Sequence, residues 1–141
     1  MGNKIKKVYI GMSGDVLHHG HINLLKIGKK LGNVTVGLLT DKAISSYKKK
    51  PFLNYKQRAI VFKSIKYVNK VVPQKTLDYR NNLKLIKPDY VVHGDDWKIG
   101  VQKKTRSQVL NIIKSWGGKL VEPKYTKNVS SRKIKKFYTL T

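Results

Sequence analysis

The sequence contains no cysteine, which rules out disulfides and thiolate chemistry. Acids are scarce: 7 Asp and Glu stand against 31 Lys and Arg, giving a net charge of +24. No stretch approaches the roughly 18 apolar residues of a membrane span. The opening Met-Gly-Asn-Lys has no apolar core, so no secretory signal is expected, and a cytoplasmic location fits. What is present is 141 residues with 40% hydrophobic content, enough for a single domain, residues 1–141, around one core.

The charge admits two readings. One is a nucleic-acid binder. The other is a lysine-rich solvated surface around an anion-binding enzyme. The lysines run through nearly every segment and are not interleaved with aromatics, which favours the second. No specific nucleic acid and no membrane is expected as a partner, although such a field attracts polyanions at low salt.

Strand and helix patterns alternate along the whole chain. Strands are expected at about Ile5–Met12, Val34–Thr40, Lys70–Val72 (stopped by Pro73), Tyr90–His93 and Leu120–Glu122. Helices are expected at about His19–Leu31, Tyr55–Tyr67 with Asn54 as N-cap, Asp78–Ile86, Thr105–Trp116 and Ser130–Tyr138. Asp41–Lys50 reads as a polar connection. Five strands separated by helices predict an α/β fold with a doubly wound parallel sheet, whose ligands bind at the carboxyl ends of the strands.

The scarce groups crowd that edge. Asp15, Asp41, Asp95, Asp96 and Glu122 fall at or just after strand ends, and Asp78 lies in the connection after the third strand. All four histidines map there as well, three of them within His18-His19-Gly20-His21. That motif follows a turn bearing Ser13 and Gly14 and opens a helix. A glycine-bearing turn at a helix N-terminus binds phosphate through backbone N–H groups, and histidine donors above it stabilise charge on a transferring phosphoryl group. A structural turn, or a zinc site completed by His93 or the acids, is the alternative.

Three further constellations are ambiguous alone. Val91-Val92-His93-Gly94-Asp95-Asp96-Trp97 offers carboxylates and an apolar wall for a nucleoside, or is an ordinary turn. Thr126 to Lys133, with Ser130 as N-cap, makes an anion site or a capped surface helix. Tyr47-Lys48-Lys49-Lys50 with Arg58 clamps phosphates or is a solvated charge run.

Together these segments resemble the cytidylyltransferases of the HxGH nucleotidyltransferase superfamily, over about Lys6 to Phe137. Asp15-x-x-His18-x-Gly20-His21, Gly94-Asp95-Asp96-Trp97 and Val129-Ser130-Ser131 occur in the family's order. The small glycerol-3-phosphate cytidylyltransferases share this layout. Gly37–Arg58, Val72–Asn82 and Pro88–Arg106 look closer to the cytidylyltransferase domain of phosphonate-pathway enzymes. There are departures: Gly14 replaces an aromatic residue, Tyr125 an arginine, Asn128 a glycine and Arg132 a small hydroxyl residue.

The resemblance implies a Rossmann-like sheet of order 3-2-1-4-5 with helices on both faces, and a homodimer. It implies cytidylyl transfer from CTP, accompanied by Mg²⁺, to a small phosphonate or phosphate acceptor. His18, His21, Lys49 and Ser130 would be catalytic. Ser13, Gly14, Gly20, Gly94, Asp95, Asp96, Trp97, Thr126 and Ser131 would bind the nucleotide. Lys48, Arg58, Asp78 and Tyr79 would bind the acceptor, and Asp15 would ligate the metal or orient its loop.

Overall fold

The computed structural model describes residues 4–124 and 129–139. Five strands form one parallel sheet: β1 (Lys7–Met12), β2 (Asn33–Leu39), β3 (Lys70–Gln74), β4 (Tyr90–Val92) and β5 (Lys119–Val121). The spatial order is β3-β2-β1-β4-β5, as expected. The helices are α1 (His19–Leu31), α2 (Asp41–Ser45), α3 (Tyr55–Lys63), α4 (Arg80–Ile86), α5 (Lys103–Lys114) and α6 (Ser131–Thr139). Two short 3₁₀ segments, Asp95–Lys98 and Gly100–Gln102, lead into α5.

Alternation along β1 divides the core between the two faces of the sheet. Val8, Ile10 and Met12 pack with Leu25 of α1 and with Ala59 and Phe62 of α3. Tyr9 faces the other way, into a cluster with Tyr79, Leu83, Val91, Trp97, Val109 and Ile113. Side chains buried on both faces account for the near-continuous apolar runs of β1 and β2.

Three elements depart from expectation. Asp41–Ser45 is helical, capped by Thr40, whose Oγ1 accepts the Ala43 N–H at 3.2 Å. Pro73 does not stop β3, which runs on to Gln74 with Pro73 opposite Leu38. β3 is an edge strand, where proline's missing N–H is tolerated. The helix after Asn54 ends at Lys63. Asn54 caps it as expected, in a reciprocal pair with Gln57 at 2.9 Å in each direction.

The chain leaves β1 for β2 on one side of the sheet and returns to β4 on the other. The strand order therefore reverses between β1 and β4, and a crevice opens at their carboxyl ends. The β1–α1 loop and the turn after β4 flank that crevice. No helix among the described residues is long and apolar enough to cross a membrane.

Candidate active site

The crevice is a cleft of about 790 Å³, open at the strand ends. One wall is the start of α1. His18 is the N-cap, and its Nδ1 accepts the Gly20 N–H at 3.1 Å. His21 Nδ1 accepts the His18 N–H at 3.2 Å. Two imidazoles thus fill a capping box normally built from a hydroxyl and a carboxyl or amide. A ring nitrogen that accepts carries no proton, so each neutral ring carries its proton on Nε2. Both rings line the cleft, 4.0 Å apart between centroids. Burial pushes both below the usual histidine range. His21 falls to about 4, aided by the neighbouring His18 and Lys48. Near neutral pH the pair are uncharged N–H donors.

The start of α6 forms the next part of the wall. Ser130 Oγ accepts the Lys133 N–H at 3.0 Å, and Ser131 Oγ donates to the Val16 carbonyl at 2.5 Å. Both serines and Arg132 line the cleft. Lys48 also lines the cleft, and its Nζ donates to Ser13 Oγ at 3.2 Å. Burial and then the cations Lys135 and Arg132 lower the pKa of Lys48. Imidazole, hydroxyl, ammonium and guanidinium side chains therefore converge on one region, a setting for a polyphosphate.

The opposite wall comes from the turn after β4. His93, Gly94 and Asp96 line it. The His93 ring lies flat on Trp97, with centroids 3.7 Å apart and planes 4° apart. Trp97 Nε1 donates to Glu122 Oε2 at 2.7 Å, and Arg106 grips the same carboxylate at 2.8 and 2.9 Å. Toward β3 the cleft is lined by Tyr47, Gln74, Leu77 and Tyr79. Tyr79 packs over Gly11, where any added Cβ would strike its ring and hydroxyl.

Of the expected site residues, Ser13, His18, Gly20, His21, Lys48, Tyr79, Gly94, Asp96, Ser130 and Ser131 meet at this cleft. Others take different places. Lys49 is exposed and outside the lining, and Lys48 holds the inward position expected of it. Trp97 is only 1% exposed, so it backs His93 rather than walling the cleft. Asp95 secures its turn with its backbone N–H to the Pro123 carbonyl at 3.0 Å. Gly14 sits outside the lining at φ 59°, its missing side chain leaving room for the Phe62 ring.

The acceptor set changes most. Arg58 is fully buried, and its guanidinium donates to the carbonyls of Leu53, Ser13 and Leu39 and to Asp41 Oδ1. Four of its five N–H groups are spent on holding loops, so it is not open to an acceptor. Asp78 lies outside the lining and is forked by Arg80 at 2.7 to 3.0 Å. Asp15 is buried, accepting from the Leu53 N–H at 3.1 Å and from Lys135 Nζ. Burial alone would raise its pKa, but the bonds from Lys135, Leu53 and Phe52 hold it below the usual carboxylate range. Its carboxylate is taken up by these donors, which fits the loop-orienting role better than direct ligation of a metal ion. No cluster of three His, Asp or Glu suited to a metal ion occurs among the described residues, which disfavours the zinc alternative. Thr126, Tyr125 and Asn128 lie outside the described residues.

Some participants were not expected from the sequence. Lys135 pairs with Asp15 and stands over the Phe52 ring, 4.5 Å from its centroid. The Glu122–Arg106 pair anchors Trp97. A signal for His93 existed in the sequence, since it is the one histidine outside the first motif and ends a buried strand.

A doubly wound parallel sheet with a donor-rich cleft at its switch point defines a nucleotide-binding α/β protein. The chain belongs to the cytidylyltransferase-like family, which matches it over residues 11–137. It is 34% identical over 101 residues to the glycerol-3-phosphate cytidylyltransferase of Bacillus subtilis, covering 67% of this chain and 74% of that one. It is 33% identical over 119 residues to an FAD synthase of Pyrococcus horikoshii, covering 79% and 80% respectively. Its fold is similar to that of a lipopolysaccharide core biosynthesis protein from Thermoplasma volcanium. The TM-score is 0.72 at 24% identity, over 89% of this chain and all of that one.

Proposed function

We propose that this protein transfers a cytidylyl group from CTP to a small phosphonate, with 2-aminoethylphosphonate the leading acceptor, and releases pyrophosphate. The observation that carries this reading is the histidine capping box, which ties up Nδ1 of two rings that line the cleft and leaves each an uncharged Nε2–H donor, beside other groups suited to phosphate. A phosphonate oxygen of the acceptor attacks the α-phosphorus of CTP in line. The bond from that phosphorus to the bridging oxygen breaks, and pyrophosphate leaves with its electron pair. His18 and His21 donate to the phosphates where charge builds up, and Lys48 adds its ammonium there. Ser130, Ser131 and Arg132 hold the leaving pyrophosphate.

Mg²⁺ is expected to accompany CTP. The described residues provide no cage for it, so the triphosphate itself would carry the ion, which neutralises phosphate charge. The acceptor's far end meets Tyr47, Gln74, Leu77 and Tyr79. An ammonium there is stabilised by the aromatic faces. Hydroxyls there would pair with the tyrosine hydroxyls, and this favours glycerol 3-phosphate as the second reading, alongside the Bacillus subtilis relative.

Pyrophosphate release from each NTP is the test, with 2-aminoethylphosphonate, 2-hydroxyethylphosphonate, glycerol 3-phosphate and phosphocholine as acceptors. CTP with the aminophosphonate should give the highest kcat/KM. Equal or better use of ATP overturns the cytidylyl assignment, and a clear preference for glycerol 3-phosphate overturns the phosphonate.

A further inference from the structure

The three cleft histidines with a defined hydrogen bond fall into two opposite tautomers. At His18 and His21 the partner of Nδ1 is a backbone N–H, so Nδ1 is bare and Nε2 holds the proton. At His93 the partner of Nδ1 is the Gly94 carbonyl, 2.8 Å away. A carbonyl can only accept, so His93 carries its proton on Nδ1 and Nε2 presents a lone pair. The same side chain is a donor on the phosphate wall and an acceptor on the opposite wall.

We infer that His93 reads the edge of the nucleobase: its Nε2 accepts a hydrogen bond from an exocyclic amine and disfavours a carbonyl at that place, so that CTP is chosen over UTP. This rests on the cytidylyl reading above. Three observations support it. The ring has a fixed backing, since it is stacked flat on a buried Trp97 that Glu122 and Arg106 hold from behind, and its Nδ1 is tied to the Gly94 carbonyl. Nε2 has no hydrogen-bond partner among the described residues, and none of their fully buried side-chain nitrogens or oxygens is left unpaired. Nε2 is therefore not sealed in, and the side chain lines the cleft. Position is the third. His93 follows β4, next to β1, and lines the same cleft as the α1 and α6 helix starts, so a nucleotide with its phosphates at those starts has room to place its base beside His93.

The charge state agrees with this role. Burial disfavours the imidazolium, and although the Gly94 carbonyl, Asp96 and Glu122 pull the other way, the balance lies below the usual histidine range. A neutral ring keeps the lone pair. A protonated one would offer N–H at both nitrogens and would suit the O4 carbonyl of uracil. Cytosine and uracil differ at this edge by an amine against a carbonyl, so one fixed acceptor separates them by attraction and by lone-pair repulsion.

The test compares wild type, His93→Phe and His93→Gln. Phenylalanine keeps a ring on Trp97 and removes the acceptor. Glutamine provides either an acceptor or a donor by turning its amide. For each protein, kcat/KM is measured with CTP and UTP, and CMP and UMP affinities are measured by calorimetry. Wild type should prefer CTP, and His93→Phe should erase about 10- to 100-fold of that preference, mostly by loss of CTP and CMP binding. His93→Gln should narrow the preference while losing less CTP activity, which keeps the test valid if the phenylalanine variant folds poorly. A CTP to UTP ratio unchanged in both variants, or equal losses for the two nucleotides, overturns the inference and leaves His93 as packing. A loss that appears only with ribose, and vanishes with 2′-deoxy-CTP, also overturns it. Wild type that prefers ATP overturns the cytidylyl reading itself, a failure seen before any variant is made.

Discussion

His21 accepts the backbone N–H of His18, so each of these side chains helps set the position from which the other donates. The helix cap and the proposed phosphate site are built from the same two rings. Losing either ring should therefore have two separable effects.

His18→Ala and His21→Ala should each lower kcat by about 10²–10³, as for loss of a donor to transition-state charge. Each should also cost about 1 kcal/mol of stability through the lost cap. His18→Asn separates the effects, since asparagine caps well but is too short to donate to the phosphates. Its urea midpoint should return toward wild type while kcat stays low. Near-normal turnover in His18→Asn would remove the ring from catalysis.

Lys48 and Lys49 are neighbours with different surroundings, one inside the cleft and one in solvent. Lys48→Ala should lower kcat/KM by roughly 10². Lys49→Ala should leave it close to wild type. The reverse ranking in steady-state kinetics would restore Lys49 to the catalytic position.

Arg58→Ala should unfold the protein at lower urea, with a loss of about 2–4 kcal/mol, because three carbonyls and Asp41 lose their partner. Arg58→Lys should not rescue it, since one ammonium cannot match the directions of a planar fork. By contrast Asp78→Asn, which disturbs only the exposed Arg80 pair, should leave acceptor selectivity unchanged. A selectivity change in Asp78→Asn would return that carboxylate to the acceptor site.

Acid should weaken the fold through His21. Its folded pKa is depressed to about 4 from 6.5, so between those values the unfolded chain binds a proton that the folded chain refuses. The stabilising contribution is whole above pH 6.5 and is lost as pH falls toward 4, on the order of 3 kcal/mol over the full window. His18 and His93, both depressed by burial, act in the same direction. Urea unfolding at pH 7.5, 5.5 and 4 should show a shallower decline for His21→Gln than for wild type. Equal slopes would contradict the buried, neutral His21.

Local pattern carried much of the fold. α1 occupies His19–Leu31 as read, because an apolar periodicity begins directly after a cap and ends at a glycine. The sheet order is the one that the family resemblance implied. α2 was hidden because five residues within a lysine-rich stretch show too little periodicity, and Pro73 misled because an edge strand is not recognisable before the sheet is assembled. In the candidate site, histidines and serines at helix starts were legible because their position follows from the local chain. Charged side chains were not. Arg58 reaches Asp41 across 17 residues and Asp15 reaches Lys135 across 120, and nothing in a local window records such partners. Trp97 was misread for a related reason: a large ring beside a turn faces the cleft or the core according to whether a distant carboxylate takes its N–H.

The bond between Asp15 and Lys135 has a consequence for the order of folding. It joins the loop after the first strand to the last helix, so it closes most of the chain into a single loop. Contacts this distant in sequence form late, after the entropy of closing the loop has been overcome. The parallel sheet can condense from nearer contacts while α6 is still searching. Buried neighbours such as Asp15 then lack their counter-charge until α6 docks. Nucleotide affinity should therefore appear in refolding after the sheet's own signals, as a separate and later kinetic phase.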